Sequence, residues 1–318
     1  MKKTKSILIS SIALFLIFSC ASNPEVTSEK KAENHKTHTS RTVYEETPED
    51  KFIKSLEGIS IKTTGSPKEV INGRSFSTPF IFQVTSADGS ALADFPVTIS
   101  YPESKSEGQI NYNKINLRTD ENGNVSFKAD ETSFAAKAKV TAYPTPDTDS
   151  ASLLERLKAF SAEADWKVRS NLATKGAVLF IWDFNERDRP EKNSNDVQAE
   201  FRSRGITMVG NGPVNETSYI GKPQALYKET YAIIGGNQYG YLIYGTIKFE
   251  QPVTALEDES GYSCVFKSEI AALSMKNGTK IYSSEMTYES KGKNWNECVS
   301  KGKDKLAELI VNDIIYGL

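Results

Sequence analysis

Histidine is almost missing from this chain. Among 318 residues it occurs twice, as His35 and His38, both in a polar stretch near the start. No Ser-His-Asp or Cys-His constellation can therefore be assembled downstream of residue 38. Cysteine is scarce too, with Cys20, Cys264 and Cys298. A zinc site would need two of these with carboxylates, at a spacing unlike the usual metal motifs, so neither metal nor cofactor is expected. The formal net charge is −2, and no strongly basic block lies in the part expected to fold. A nucleic-acid partner is thereby disfavoured, because phosphate recognition needs a concentrated positive patch. Long apolar runs are missing as well: residues 7–18 form a stretch too short to span a bilayer, which takes about 20 apolar residues.

That short run is informative for what flanks it. Lys2, Lys3 and Lys5 precede it, and Ser19, Cys20 and Ala21 follow it. A basic segment, an apolar core and a small residue at the cleavage point make a secretory signal. A cysteine placed directly after that point resembles the pattern of bacterial lipoproteins. The resemblance implies a signal peptide over residues 1–19, then cleavage and acylation at Cys20, so that the membrane is met through an N-terminal lipid. In such lipoproteins a residue other than Asp after the lipidated cysteine goes with the outer membrane, and Ala21 fits. Whether the protein would face the periplasm or the surface stays open. Loss of residues 1–19 lowers the 39 basic side chains to 36, against 41 acidic ones.

With Cys20 lipidated, Cys264 and Cys298 remain. An exported compartment permits disulfides and an even remainder admits one. The alternative is two buried thiols acting as small apolar residues. Residues 20–52 are rich in Ser, Thr, Glu and Lys with little to bury, and are expected to form a disordered tether. As a coil it would span on the order of 30 Å.

Residues 53–172 change character. Short alternating segments at 80–84, 95–101, 115–117, 125–127 and 138–143 are separated by turn residues such as Asp88-Gly89 and Asn122-Gly123. This spacing predicts an all-β sandwich. The stretch from Val84 to Phe127 resembles bacterial immunoglobulin-like modules, in which a Gly-x-Pro-Val strand is followed by Thr-Asp-x-x-Gly-x-Val-x-Phe. A helical excursion is expected over 150–163, with Leu153, Leu154, Leu157 and Phe160 at helical spacing. The strand at 166–170 either completes the sandwich or forms the joint to the next domain. Asp120, Asn122 and Asn124 have the oxygen side chains of a calcium loop. Val125 sits where such a loop wants glycine, so a hairpin turn is the reading adopted.

Residues 173–318 read as an α/β domain in the order β-α-β-α-β-β-β-α. The run at 177–183 is continuously apolar, as in a strand covered on both faces. Helices are expected at 196–204 and 223–234, and strands at 206–209 and 241–249. A hairpin at 262–275 and 280–288 turns at Asn277-Gly278. A final helix over 296–316 carries a broad apolar stripe including Leu306, Ile310 and Ile314. This order, with its strands at 176–184 and 239–247, the hairpin and the closing helix, resembles an envelope family. That family includes the curli-secretion lipoprotein, lipoprotein activators of penicillin-binding proteins and the middle domain of a flagellar assembly protein. No segment resembles the curli pore's transmembrane hairpins, which disfavours an export channel.

Asp183, Glu186 and Asp188 cluster with Arg187 and Arg189 after the first strand, and solvated loop charges are the expected role. Gly210-Asn211-Gly212 and Gly235-Gly236 lack phosphate-loop spacing and read as turns. Trp182, Tyr239, Tyr241, Tyr244 and Trp295 are the candidates for partner contact, since exposed aromatics carry much interface energy. Alternation places Tyr239 and Tyr241 on one sheet face, with Leu242 and Tyr244 on the other. The resulting expectation is a non-catalytic, lipid-anchored accessory or scaffold protein, docking onto a larger envelope assembly through its C-terminal domain. A surface-displayed adhesin or ligand-binding lipoprotein is the alternative. A carboxylate-based enzyme on cell-wall glycans, centred on Asp183, is the second.

Overall fold

The computed structural model describes residues 45–318, apart from 107, 258 and 259. The signal segment, Cys20, both histidines and the tether up to residue 44 lie outside the described residues. Chain order from there opens with a helix, α1 (Pro48–Ser55), which straddles the expected boundary at residue 52 and takes its first five residues from the stretch expected to be tether. Its cause is local. Thr47 and Asp50 form a reciprocal capping box and Pro48 occupies the first turn, satisfying backbone donors that a short helix otherwise leaves open.

Eight strands follow: β1 (Ser60–Gly65), β2 (Val70–Ile71), β3 (Phe80–Thr85), β4 (Pro96–Ser106), β5 (Gln109–Arg118), β6 (Asn124–Phe127), β7 (Ala136–Pro144) and β8 (Ala162–Arg169). They build two sheets, one ordered β1-β3-β6 and one ordered β2-β8-β7-β4-β5. Period-two alternation sends Phe80, Phe82 and Val84 inward from the first sheet. Val97, Ile99, Val140, Ala142, Trp166 and Val168 meet them from the second, in one buried cluster. Phe80 stacks on Trp166 with ring centroids 5.9 Å apart. Residues 166–169 of the expected strand thus belong to β8, which sits between β2 and β7 in its sheet. Between β7 and β8 runs α2 (Ala151–Leu157), capped by Ser150. Leu153 and Leu157 pack with Leu56 and Tyr143, closing one end of the two-sheet body. The Asp120 turn is held by its own carboxylate, whose Oδ1 accepts from the amides of Asn122 (2.9 Å) and Asn124 (2.8 Å).

A one-turn helix, α3 (Leu172–Lys175), leads into β9 (Ala177–Phe184), buried along its whole length. Then come β10 (Pro190–Asn193), α4 (Asn195–Ser203), β11 (Val209–Asn211), α5 (Pro223–Ile234), β12 (Tyr241–Ala255), β13 (Tyr262–Ser274), β14 (Lys280–Gly292) and α6 (Trp295–Gly317). The sheet order is β10-β9-β12-β13-β14, with β11 also paired to β9. The strand β10 is an addition to the expected order. It pairs antiparallel with the end of β9, while β11 and β12 run parallel to β9.

One face of this sheet packs on α4 and α6 through Leu179, Ile181, Ile243, Phe266 and Ile270 against Phe201, Leu306, Ile310 and Ile314. Each such side chain contributes about 1.5–3 kcal/mol relative to exposure. Close approach of α6 depends on Gly302, where an added Cβ would lie 2.4 Å from the Phe266 ring. The opposite face carries Val178, Phe180, Trp182, Leu242 and Leu273 under α5, which supplies Leu226. A helix is about 10 Å wide and strands are about 4.8 Å apart, so a single helix shields only about two of them. The outer part of this face, on β13 and β14, consequently remains open, with Glu269, Ser283, Glu285 and Thr287 exposed.

The last turns of α6 meet the two-sheet body. The Ser170 amide donates to the Ile315 carbonyl (2.7 Å), and Lys105 Nζ donates to the Gly317 carbonyl (2.6 Å). Tyr316 hydrogen-bonds Glu69, which also pairs with Arg169 at 3.1 Å.

A candidate docking groove on the open sheet face

Register across the sheet builds the site. On the face away from α6, Phe180 neighbours Tyr244, Tyr244 neighbours Ala271, and Ala271 neighbours Ser283. The next row runs Trp182, Thr246, Glu269, Glu285. Large rings therefore give way to small side chains in one row and to two carboxylates in the other. The step between them, roofed by Tyr219 and Ile220 from the turn before α5, leaves a groove of about 440 Å³.

Glu269 and Glu285 stand directly opposite each other on adjacent strands, an arrangement that like charges disfavour. Lys267 reaches both, at 3.4 Å and 2.8 Å. Its ammonium is held above the usual lysine range, first by the hydrogen bond to Glu285. At the roof, the Tyr219 phenol is pushed up by desolvation and then by the Glu229 and Glu216 carboxylates. Desolvation likewise raises Tyr244. The groove is aromatic on one side and acidic on the other.

The five aromatics singled out from the sequence are dispersed. Tyr244 lines the groove. Trp182 lies beneath the same face, buried edge-on against Phe180 at 5.8 Å, with its Nε1 unpartnered. Tyr241 is on the opposite face, where its hydroxyl donates to Asn171 Oδ1 (2.5 Å). Tyr239 does not share that face. It precedes the strand and packs with the α5 cluster, because alternation begins only at Tyr241. Trp295 is exposed at the first turn of α6. Tyr219, Ile220, Glu269 and Glu285 were not expected. The odd-numbered polar residues of β13 and β14 hold a readable signal for the last two, whereas Tyr219 sits in a turn without periodicity.

Asp183 departs from its expected role as a solvated loop charge. It is wholly buried within β9 and pairs with Lys303 of α6 at 3.3 Å. Burial pushes its carboxyl up, opposed by the nearby ammonium. Its neighbours act structurally. Glu186 accepts from the Val253 amide (3.0 Å), and Asp188 pairs with Lys248 at 2.8 Å. No open acidic cleft surrounds Asp183, which removes the geometry the glycan-enzyme alternative required.

A larger cleft of about 790 Å³ lies where α6 meets the two-sheet body, near Lys105, Lys137, Lys280 and Asp313. Two of these groups are already engaged. Lys105 donates to the carbonyls of Ala135 and Gly317, and Asp313 accepts from the Tyr282 hydroxyl. Cys264 and Cys298 are both buried, as free thiols with their sulfurs 3.3 Å apart. Burial raises the Cys264 thiol well above its ordinary value. Among the described residues, no group of three or more His, Cys, Asp or Glu is placed to hold a metal ion. No helix among them is long and apolar enough to cross a membrane.

Residues 54–140 match the family model described as SMCHD1 Ig-like domain 6. No curated protein matches the chain significantly in sequence. Among solved structures, lipoprotein GNA1162 from Neisseria meningitidis is similar at 15% identity, over 43% of this chain and 96% of that one, with a TM-score of 0.27. A PelC dodecamer from Paraburkholderia phytofirmans is similar at 14% identity, over 44% and 88%, with a TM-score of 0.29. The hypothetical protein CT253 from Chlamydia trachomatis is similar at 12% identity, over 44% and 93%, with a TM-score of 0.28. Scores this low carry no argument about function. Neither family match is to a catalytic family. Residues 176–315 match the family model for the TP0693-like lipoprotein, C-terminal domain, and this supports a bacterial lipoprotein.

Proposed function

We propose that this protein is a non-catalytic, lipid-anchored accessory subunit of the cell envelope, held at the outer membrane through Cys20 and docking onto a protein partner through its C-terminal sheet. The observation that carries the reading is the groove itself. It is a half-open sheet face where Tyr219, Tyr244 and Ile220 stand beside Glu269 and Glu285, and clustered aromatics at a polar rim are the composition of interface hot spots. Anchoring supports a weak interface, because tethering raises effective concentration near the partner.

The test is photo-crosslinking in living cells, with a photoreactive residue placed at Ser283 in the groove or at Tyr112 on β5. The expected result is one envelope protein joined from position 283 and absent from position 112. Crosslinks from 112 alone, together with cleavage of the protein by protease added to intact cells, would overturn docking and favour the surface-displayed ligand-binding alternative.

A further inference from the structure

We infer that the groove recognises a cationic side chain, lysine or arginine, on an extended segment of the partner; this rests on the docking reading above. Three features of the site converge on that chemistry. The first is carboxylate charge at the rim. Glu269 and Glu285 share the one ammonium of Lys267, and Glu216 and Glu229 lie within electrostatic reach of the Tyr219 hydroxyl at the roof. Two carboxylates facing each other across neighbouring strands are relieved by a second cation.

The second feature is the lining. Phe180, Tyr219 and Tyr244 all border the cavity, and ring faces attract ammonium and guanidinium groups. Ile220 and Ala271 offer apolar surface to the methylene stem that such side chains bury while the head stays polar. A bare metal ion would gain nothing from the rings, and an anion would be repelled by the carboxylates.

The third feature is access. The groove ends at Ser283 and Glu285 of β14, which is the edge strand of the sheet. The Lys280–Ser284 stretch of that edge borders the cleft against the two-sheet body, so a partner backbone running beside the edge from Glu285 onward can send one side chain inward across the open face, in the manner of strand addition. The volume of about 440 Å³ suits a side chain and its flanking groups, near the low end for ligand sites.

The experiment uses the full-length protein in detergent and a dye-labelled, end-capped pentapeptide with one central arginine, followed by fluorescence anisotropy. A citrulline peptide of the same shape is the uncharged control. The arginine peptide should bind at least fivefold more tightly than the citrulline one, and raising the salt should weaken it. The double variant Glu269→Gln, Glu285→Gln should lose at least fivefold in affinity, as should Tyr244→Ala. The two glutamates are exposed, so their replacement leaves the fold intact, and unchanged thermal unfolding checks this. Equal binding of both peptides, no binding, or full binding by the glutamine double variant overturns the inference. Crosslinking from Ser283 separates the two readings. A partner captured equally by wild type and the double variant keeps docking and removes the cation site. Peptide binding that needs the glutamates, without any captured partner, keeps the site and removes docking.

Discussion

The two β systems of this chain solve the same burial problem in different ways. In residues 60–169 each sheet covers the other, and rings such as Phe80 and Trp166 fill the space between them. In residues 177–292 a single sheet relies on helices. The long α6, with α4, covers one face, but α5 covers only part of the other. A closed pair of sheets needs nothing further, whereas a half-covered sheet leaves a step at its last roofed strand. The candidate site of this protein sits at that step. It marks where a covering layer ends, and the turn before α5 roofs it with Tyr219 and Ile220.

The contrast can be broken at several points. The largest effect is expected from Phe80→Ala, which empties the middle of the two-sheet core and should cost about 3–5 kcal/mol in chemical denaturation. Loss of the C-terminal region's unfolding transition along with it would show that the two systems depend on each other through the α6 junction.

Next comes the thiol pair. Oxidation of Cys264 and Cys298 by a dithiol–disulfide oxidoreductase of the exported compartment would release two hydrogens to the oxidant and pin the start of α6 to β13. For residues 34 apart the link should add roughly 3–4 kcal/mol. Thiol alkylation of protein taken from the envelope checks it, the expected result being two cysteines protected until a reductant is added. Two freely alkylated cysteines under denaturing conditions would make the pair plain core residues.

Lys303→Met tests the reliance of the helix-covered face on one buried pair. It strands the Asp183 carboxylate and should cost about 2–4 kcal/mol near neutral pH. The sign with pH follows from the raised carboxyl. The folded state holds the Asp183 proton more tightly than the unfolded state, so this group's contribution falls as pH rises above the ordinary value of 3.8. Without Lys303 the carboxyl rises further, and the penalty of the substitution should shrink on acidification. Melts of both proteins between acidic and neutral pH give the comparison, and a pH-independent penalty would contradict it.

The smallest effect belongs to Trp295→Ala. This ring is exposed and outside the groove, so stability should move by less than about 0.5 kcal/mol. Arginine-peptide binding should not change, in contrast to Tyr244→Ala.

Much of the chain was legible from local pattern. The helix at α5 begins and ends at the expected residues, because Pro223 and Gly235 punctuate it. Continuous apolarity from 177 to 182 correctly announced a strand buried on both faces, and the Asn277-Gly278 turn announced the hairpin of β13 and β14. Other features escaped for identifiable reasons. The capping box of α1 lies in a stretch whose composition reads as tether, since composition is blind to two reciprocal hydrogen bonds. Asp183 looked like a loop charge because Lys303, its partner, is 120 residues away. Tyr239 was assigned a face by counting back from a strand that had not yet begun.

Sequence alone determined most of the elements and their order, with α1 and β10 among those it missed, and it left no histidine beyond residue 38. Those depend on which residues are present and on periods of two and 3.6, which are local properties. Folding in three dimensions decided which carboxylates became neighbours, which aromatics stayed at a surface, and that two distant cysteines meet. Those depend on strand register and on how far a helix can reach across a sheet, and neither quantity is written in any one segment of the chain.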